Sequence, residues 1–173
     1  TLYRSSAASD VYKRQARVYN NTIVTQSSFA IFRLQSGNNA SGGASGNDDV
    51  HISSNLVVGT GGDPQYARND AGAATIVFGP QLWAGEFHNS GAATPGIPMF
   101  PQAADVITGS GAGVVVNPSV AGLTGPGTAI ARYRPVAGSP ALGAAEVLAD
   151  VVADLLGLRR SPVSPTMGAL ELP

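Results

Sequence analysis

Short apolar runs alternate with polar residues along this chain, and most of them stop at asparagine, serine or glycine. Arg17-Val18-Tyr19-Asn20-Asn21-Thr22-Ile23-Val24 aligns without a gap on His51-Ile52-Ser53-Ser54-Asn55-Leu56-Val57-Val58, at an offset of 34 residues. A weaker third copy, Ile76-Val77-Phe78-Gly79-Pro80-Gln81-Leu82-Trp83, follows at an offset of 25. Further strand-like runs are Phe29–Leu34, Gly113–Val116 and Thr128–Tyr133. Period-two alternation turns Val18 and Ile52 inward, with Val77 as the third member of the column. Asn21 and Asn55 then stack at one corner, where their amides can hydrogen-bond along the axis. Pro80 is expected to end that ladder.

Short strands at unequal spacing argue against a propeller and for a solenoid whose loops vary in length. One segment departs from the pattern. Val147, Leu148, Val151, Val152, Leu155 and Leu156 have helical spacing, which predicts a short helix near 144–156 that Gly157 stops; the alternative is an extended loop. Residues 36–46 form a low-complexity insertion, read either as part of a binding face or as a tolerated surface loop.

Composition narrows the picture. Of 173 residues, 22 are glycine, 12 are proline and 12% are charged, which suits strands and turns rather than a helical bundle. The net charge is −1, and −3 once residues 1–15 are set aside, so there is no basic footprint for nucleic acid. Cysteine is absent, which excludes disulfides and thiolate metal sites. No run approaches the roughly 18 apolar residues of a membrane span. The single lysine, Lys13, lies in residues 1–15, a stretch without the alternation found later. It resembles a peptide translated from sequencing-adapter DNA; a genuine tail is the other reading.

Three blocks near the C-terminus carry a family resemblance. Arg134-Pro135-Val136-Ala137-Gly138-Ser139-Pro140-Ala141-Leu142 resembles L-x-P-G-S-P-A-I-D-A-G, with Gly143 where an aspartate is usual. Asp154–Arg160 resembles D-x-x-G-x-x-R, and Met167-Gly168-Ala169-Leu170-Glu171 resembles I-G-A-Y-E. Together with V-x-N-N-T-I-V and H-I-S-S-N-L-V, these look like bacterial right-handed parallel β-helix proteins of the pectate-lyase-like group. The resemblance implies an all-β parallel β-helix, with coils over 16–134 and a C-terminal cap over 135–173. It also implies an exported or cell-surface protein, a polysaccharide partner and a monomer. The activity implied is that of a polysaccharide lyase or related hydrolase on acidic glycans, its catalytic centre upstream of these residues. The alternative is a non-catalytic, glycan-binding surface module.

Lyases of this fold use a Lys or Arg base and carboxylate-bound calcium. On the expected outer strip, Arg17 and Tyr19 lie beside Asp49, His51 and Ser53. The strip reads either as a sugar or calcium subsite or as the polar face that any solvated sheet shows. Asp48 and Asp49 are the candidate calcium ligands, though two carboxylates are few for an ion that takes 6–8 oxygens. Backbone carbonyls or Glu86 would have to complete the set; turn chemistry after Gly46 is the other account. Arg33 and Trp83 complete the substrate-binding candidates. Trp83, with Glu86, Phe87 and His88 nearby, forms either a sugar-stacking platform or an aromatic folded over the coil edge. The cluster Gly109–Gly113 lacks the residues of a phosphate loop and reads as turns.

Overall fold

The computed structural model describes residues 15–34, 37–38, 44–45, 49–69, 75–89, 96–121 and 130–172. The strands are β1 (Gln15–Tyr19), β2 (Thr22–Thr25), β3 (Phe32–Leu34), β4 (Gly37–Asn38), β5 (Ala44–Ser45), β6 (Asp49–Ser53), β7 (Leu56–Gly59), β8 (Ala67–Asn69), β9 (Thr75–Phe78), β10 (Leu82–Ala84) and β11 (Val106–Thr108). Apart from the antiparallel β4–β5 pair, every pairing between these strands is parallel. Sheet A runs β1-β6-β9, sheet B runs β2-β7-β10-β11, and sheet C pairs β3 with β8. The chain visits A, B and C in that order, twice, and then A and B again. The fold is all-β.

Corners between sheets A and B are made by unusual backbone. Asn20 (φ 50°) and Ser54 (φ 59°) occupy the left-handed region, which asparagine tolerates better than most residues. This sharp turn lets β2 leave the plane of β1 after two residues, and β7 leave that of β6.

The repeat of 34 is the pairing register: Arg17 faces His51, Val18 faces Ile52 and Ile23 faces Val57. The next repeat is 26 residues rather than 25. His51 faces Val77, Ile52 faces Phe78 and Leu56 faces Leu82. A one-residue slip exchanges the two faces of a strand. Phe78 therefore takes the inward position and Val77 turns out, 43% exposed.

The same correction extends the ladder. Asn21 Nδ2 donates to Asn55 Oδ1 at 2.9 Å, and Asn55 Nδ2 donates to Gln81 Oε1 at 3.0 Å. Pro80 does not end the stack, because Gln81 is the third rung. The Gln81 N–H then donates to Asp105 Oδ1 at 2.9 Å, and that carboxylate closes the series.

Inside the three sheets lies an aromatic core of Phe32, Tyr66, Trp83 and Phe100, with Phe78 and Phe87 against it. Sheet B is buried on its other face too. Leu56, Val58, Leu82 and Ala84 pack under Val114, Val115, Ala141 and Met167. Full burial of each such aliphatic is worth roughly 1.5–3 kcal/mol, so the C-terminal segment is integral to the fold. It lies along the outer face of sheet B: the Met167 N–H bonds Ala141 O, the Gly168 N–H bonds Ser54 O, and the Ala169 N–H bonds Thr22 Oγ1.

The helix expected near 144–156 does not form. Those residues run as turns and extended chain held by outside contacts, including the Ala145 N–H on Pro165 O and the Glu146 N–H on Ser54 Oγ. Val147, Val152, Leu155 and Leu156, which helical spacing placed on a core-facing stripe, are exposed. Two other strand expectations differ as well: 112–114 is a turn, and 130–132 is a helical turn.

Candidate functional site

The outer face of sheet A carries the strip expected from alternation. Arg17 is exposed and Tyr19 and His51 are half-buried. Tyr19 Oη and His51 Nδ1 lie 2.8 Å apart, with the rings edge to face at 5.5 Å. This hydrogen bond fixes one ring nitrogen and so the imidazole orientation.

At the end of the strip, Ser53 is covered by the chain's own C-terminal segment. Ser53 is fully buried, its hydroxyl held by the Glu146 carboxylate and by Ser54 Oγ. Gly79 lies beneath: a Cβ there would come within 2.5 Å of Ser53 Oγ and 2.8 Å of Glu146 Oε2. Arg17 NH1 meets Asp150 Oδ2 at 2.9 Å in an exposed pair. Residues 146–150 thus form a strap over part of the face that alternation leaves open.

Asp48 lies outside the described residues. Asp49 is placed by its backbone, which pairs with Gln15 and Thr75. Among the described residues no three His, Asp or Glu side chains converge as metal ligands.

Trp83 is not presented to a ligand. It is 0% exposed, ringed by Phe32, Tyr66, Phe87 and Phe100 at centroid distances of 4.8–6.0 Å. Its Nε1–H donates to Asp105 Oδ2 at 3.1 Å. The expected stacking platform is instead the centre of the core. Asp105 also accepts from the Gln102 N–H, and it joins desolvation, the larger cause, in raising the Tyr66 phenol above its usual value. His88 turns outward to Asp63 at 2.8 Å.

Arg33 is exposed on sheet C, and its register partner is Arg68, also exposed. Adjacent strands put such residues about 4.8 Å apart, which sets two cations side by side on one face.

Two of the three C-terminal sequence blocks, 154–160 and 167–171, converge on one network around a buried ion pair. Arg160 NH1 donates to Glu171 Oε1 at 2.9 Å and to Thr166 O, and its NH2 donates to Gly168 O. Glu171 also accepts from the Thr166 N–H and hydroxyl. Asp154 Oδ1 accepts the Leu156 and Leu158 N–H groups, and Oδ2 accepts that of Glu171. Gly157 and Gly168 sit at φ 82° and 93°, where a side chain would be strained. Burial pulls the Arg160 guanidinium below its ordinary value, and Glu171 and Asp154 oppose that shift. Its centre, Arg160, Thr166 and Glu171, is buried, whereas the Asp154 turn lies at the surface.

Comparison with family models, curated proteins and solved structures finds no match to this chain. The functional reading therefore rests on geometry and on residue chemistry.

Arg68, Asp105 and Glu146 were missed as functional or positioning residues by sequence reasoning. Arg68 had a signal, since it stands 35 residues after Arg33, close to the first repeat length. Glu146 had none, because it reaches Ser53 across 93 residues.

Proposed function

We propose that this chain forms coils of a right-handed parallel β-helix of the pectate-lyase-like group, and that it engages an acidic polysaccharide through a cationic face. The observation that carries the reading is the Arg33–Arg68 pair, two exposed arginines in register on sheet C. Guanidinium groups present planar, forked donors that match the carboxylates of a uronate polymer. The A-B-C order of parallel strands and the amide ladder support the β-helix. The strap over Ser53 and the burial of Trp83 favour a binding module over a catalytic centre within these residues.

The test is retention on immobilised polygalacturonate against neutral glucan, across a salt series. Binding to the acidic polymer should weaken with salt, and Arg33→Ala/Arg68→Ala should lower affinity several-fold, at about 0.5–1 kcal/mol per exposed charge. Equal retention on neutral glucan, or an unaffected double variant, overturns it.

A second reading is lyase-like catalysis. The Tyr19–His51 pair supports it, as an oriented imidazole of the kind used in acid–base chemistry. Its signature is the ultraviolet absorbance of unsaturated products from a uronate polymer, lost in His51→Ala.

A further inference from the structure

A small cavity lies against the strap, walled by residues from 146–152 and from 159–165. Its volume is about 160 Å³, room for one group the size of a benzene ring. Leu148, Val151, Pro162 and Pro165 supply apolar walls. Asn20 and Arg160 also line it, and they are only 7% and 6% exposed. Each carries one buried atom that has no partner among the described residues. The atom on Asn20 is Oδ1, an acceptor, and the atom on Arg160 is Nε, a donor.

The fold does not require these two unpaired atoms. The equivalent corner of the next pass is Ser54, also in the left-handed region, and its hydroxyl is used. It accepts the Glu146 N–H and lies 3.2 Å from Ser53 Oγ. A glycine would hold the Asn20 corner with no side chain at all. Arg160 spends NH1 on Glu171 and Thr166 O and NH2 on Gly168 O, which leaves its Nε–H over. An unpaired polar atom in a dry site is costly. Two of them on residues lining one cavity, a donor and an acceptor, describe the ligand that would relieve both.

We propose that this cavity binds the acetamido group of an N-acetylated sugar. The amide carbonyl accepts the Arg160 Nε–H, the amide N–H donates to Asn20 Oδ1, and the methyl group packs on Val151 and Pro165. Charge selects the same group. A carboxylate would meet two acceptors, Asn20 Oδ1 and the Glu146 side chain that also lines the cavity, while the Arg160 charge is already met by Glu171. A cation would sit among apolar walls beside Arg160. A lone hydroxyl would have to fill both roles from one oxygen, and it has no methyl group for the apolar walls. Arg159, exposed, and Ser161, half-buried, stand at the cavity as donors for ring hydroxyls that stay outside. Both unpaired atoms are sealed off while the strap is down, so the sugar enters as the strap swings outward. The Arg17–Asp150 pair that helps hold the strap is exposed and therefore weakly stabilising. The site does not rest on the polyanion reading, which uses Arg33 and Arg68 on sheet C.

The test is a titration of the chain with N-acetylglucosamine, followed by NMR at the Arg160 Nε–H. A saturable shift of that signal is expected, with none from glucose or glucosamine, which lack the acetyl group. Asn20→Gly keeps the left-handed corner and removes Oδ1, so it should weaken binding about fivefold, the effect of one hydrogen bond. Equal shifts with N-acetylglucosamine and glucose, or an unchanged affinity in Asn20→Gly, overturn the proposal. So does the absence of any saturable shift, which would leave a cavity for water alone. N-acetylglycinamide binding as tightly as the sugar overturns it too, because the site would then read a peptide amide.

Discussion

Replacing Glu171 with alanine should be among the most damaging changes in this chain outside its aromatic core. The side chains of Arg160 and Glu171 are 4% and 8% exposed, so their attraction is little screened. The substitution removes three acceptor contacts: one from Arg160, and one each from the Thr166 N–H and hydroxyl. The bond to the charged group is worth roughly 1.5–3 kcal/mol and the neutral ones about 1 kcal/mol each. Together these give about 4 kcal/mol, within the roughly 3–5 kcal/mol typical when one partner of a buried ion pair is removed. Trp83, the sole tryptophan and fully buried, reports unfolding by fluorescence. With a urea slope near 2 kcal/mol per molar, the midpoint should fall by about 2 M. Arg160→Met/Glu171→Leu should recover much of the loss, because it removes the stranded cation as well as its partner. A Glu171→Ala midpoint within error of the parent, or a double variant less stable than the single one, would refute the reasoning.

Gly79→Ala pushes a methyl group into Ser53 Oγ and the Glu146 carboxylate, so it should lift the strap; about 1–3 kcal/mol of stability and faster proteolysis within 146–150 are expected. Trp83→Ala should cost about 3–5 kcal/mol as a cavity mutation, and Trp83→Phe should still be destabilising because it leaves Asp105 without its indole donor; calorimetry measures both. Burial raises the Tyr66 phenol above 10.0, so folding keeps the neutral form while the unfolded chain ionises first. The resulting stability is complete below pH 10 and lost as pH rises through the folded value, and Tyr66→Phe should flatten that part of a pH–stability profile.

Much of the sheet architecture was legible because strands write their faces into a period of two. The repeat of 34 located β1, β2, β6 and β7 and their register, since both copies carry an aliphatic, two polar residues and then asparagine. The third copy was read one residue short because Gln81 does the work of an asparagine. Its longer side chain reaches the same ladder position, but its identity hides the match. With the offset corrected, Val77 and Phe78 exchange faces and Pro80 falls in the corner beside Gly79, where a missing N–H is tolerated. The helical spacing in 144–156 misled for a related reason. Apolar residues there recur at helical intervals, yet hydrogen bonds to distant residues hold the backbone extended, and tertiary contacts override a weak local preference.

The candidate site was less legible, because a strand's pattern shows which way a side chain points and not what covers it. Sheet A alternates, with Arg17 and His51 turned out, and alternation says only that this face is polar. Its cover comes from Glu146 and Asp150, 93 and 133 residues from their partners Ser53 and Arg17. Sheet B, in contrast, announced its burial. Leu56-Val57-Val58 and Leu82-Trp83-Ala84 are apolar at consecutive positions, which a strand solvated on one side would not be. Such runs require two dry faces. One is supplied by the aromatic core, and the other needs a second layer, here built from Val114, Ala141 and Met167. The absence of alternation in those two strands therefore places Trp83 in the interior and calls for a C-terminal segment along the outside of sheet B. The stacking platform gave way to that one signal.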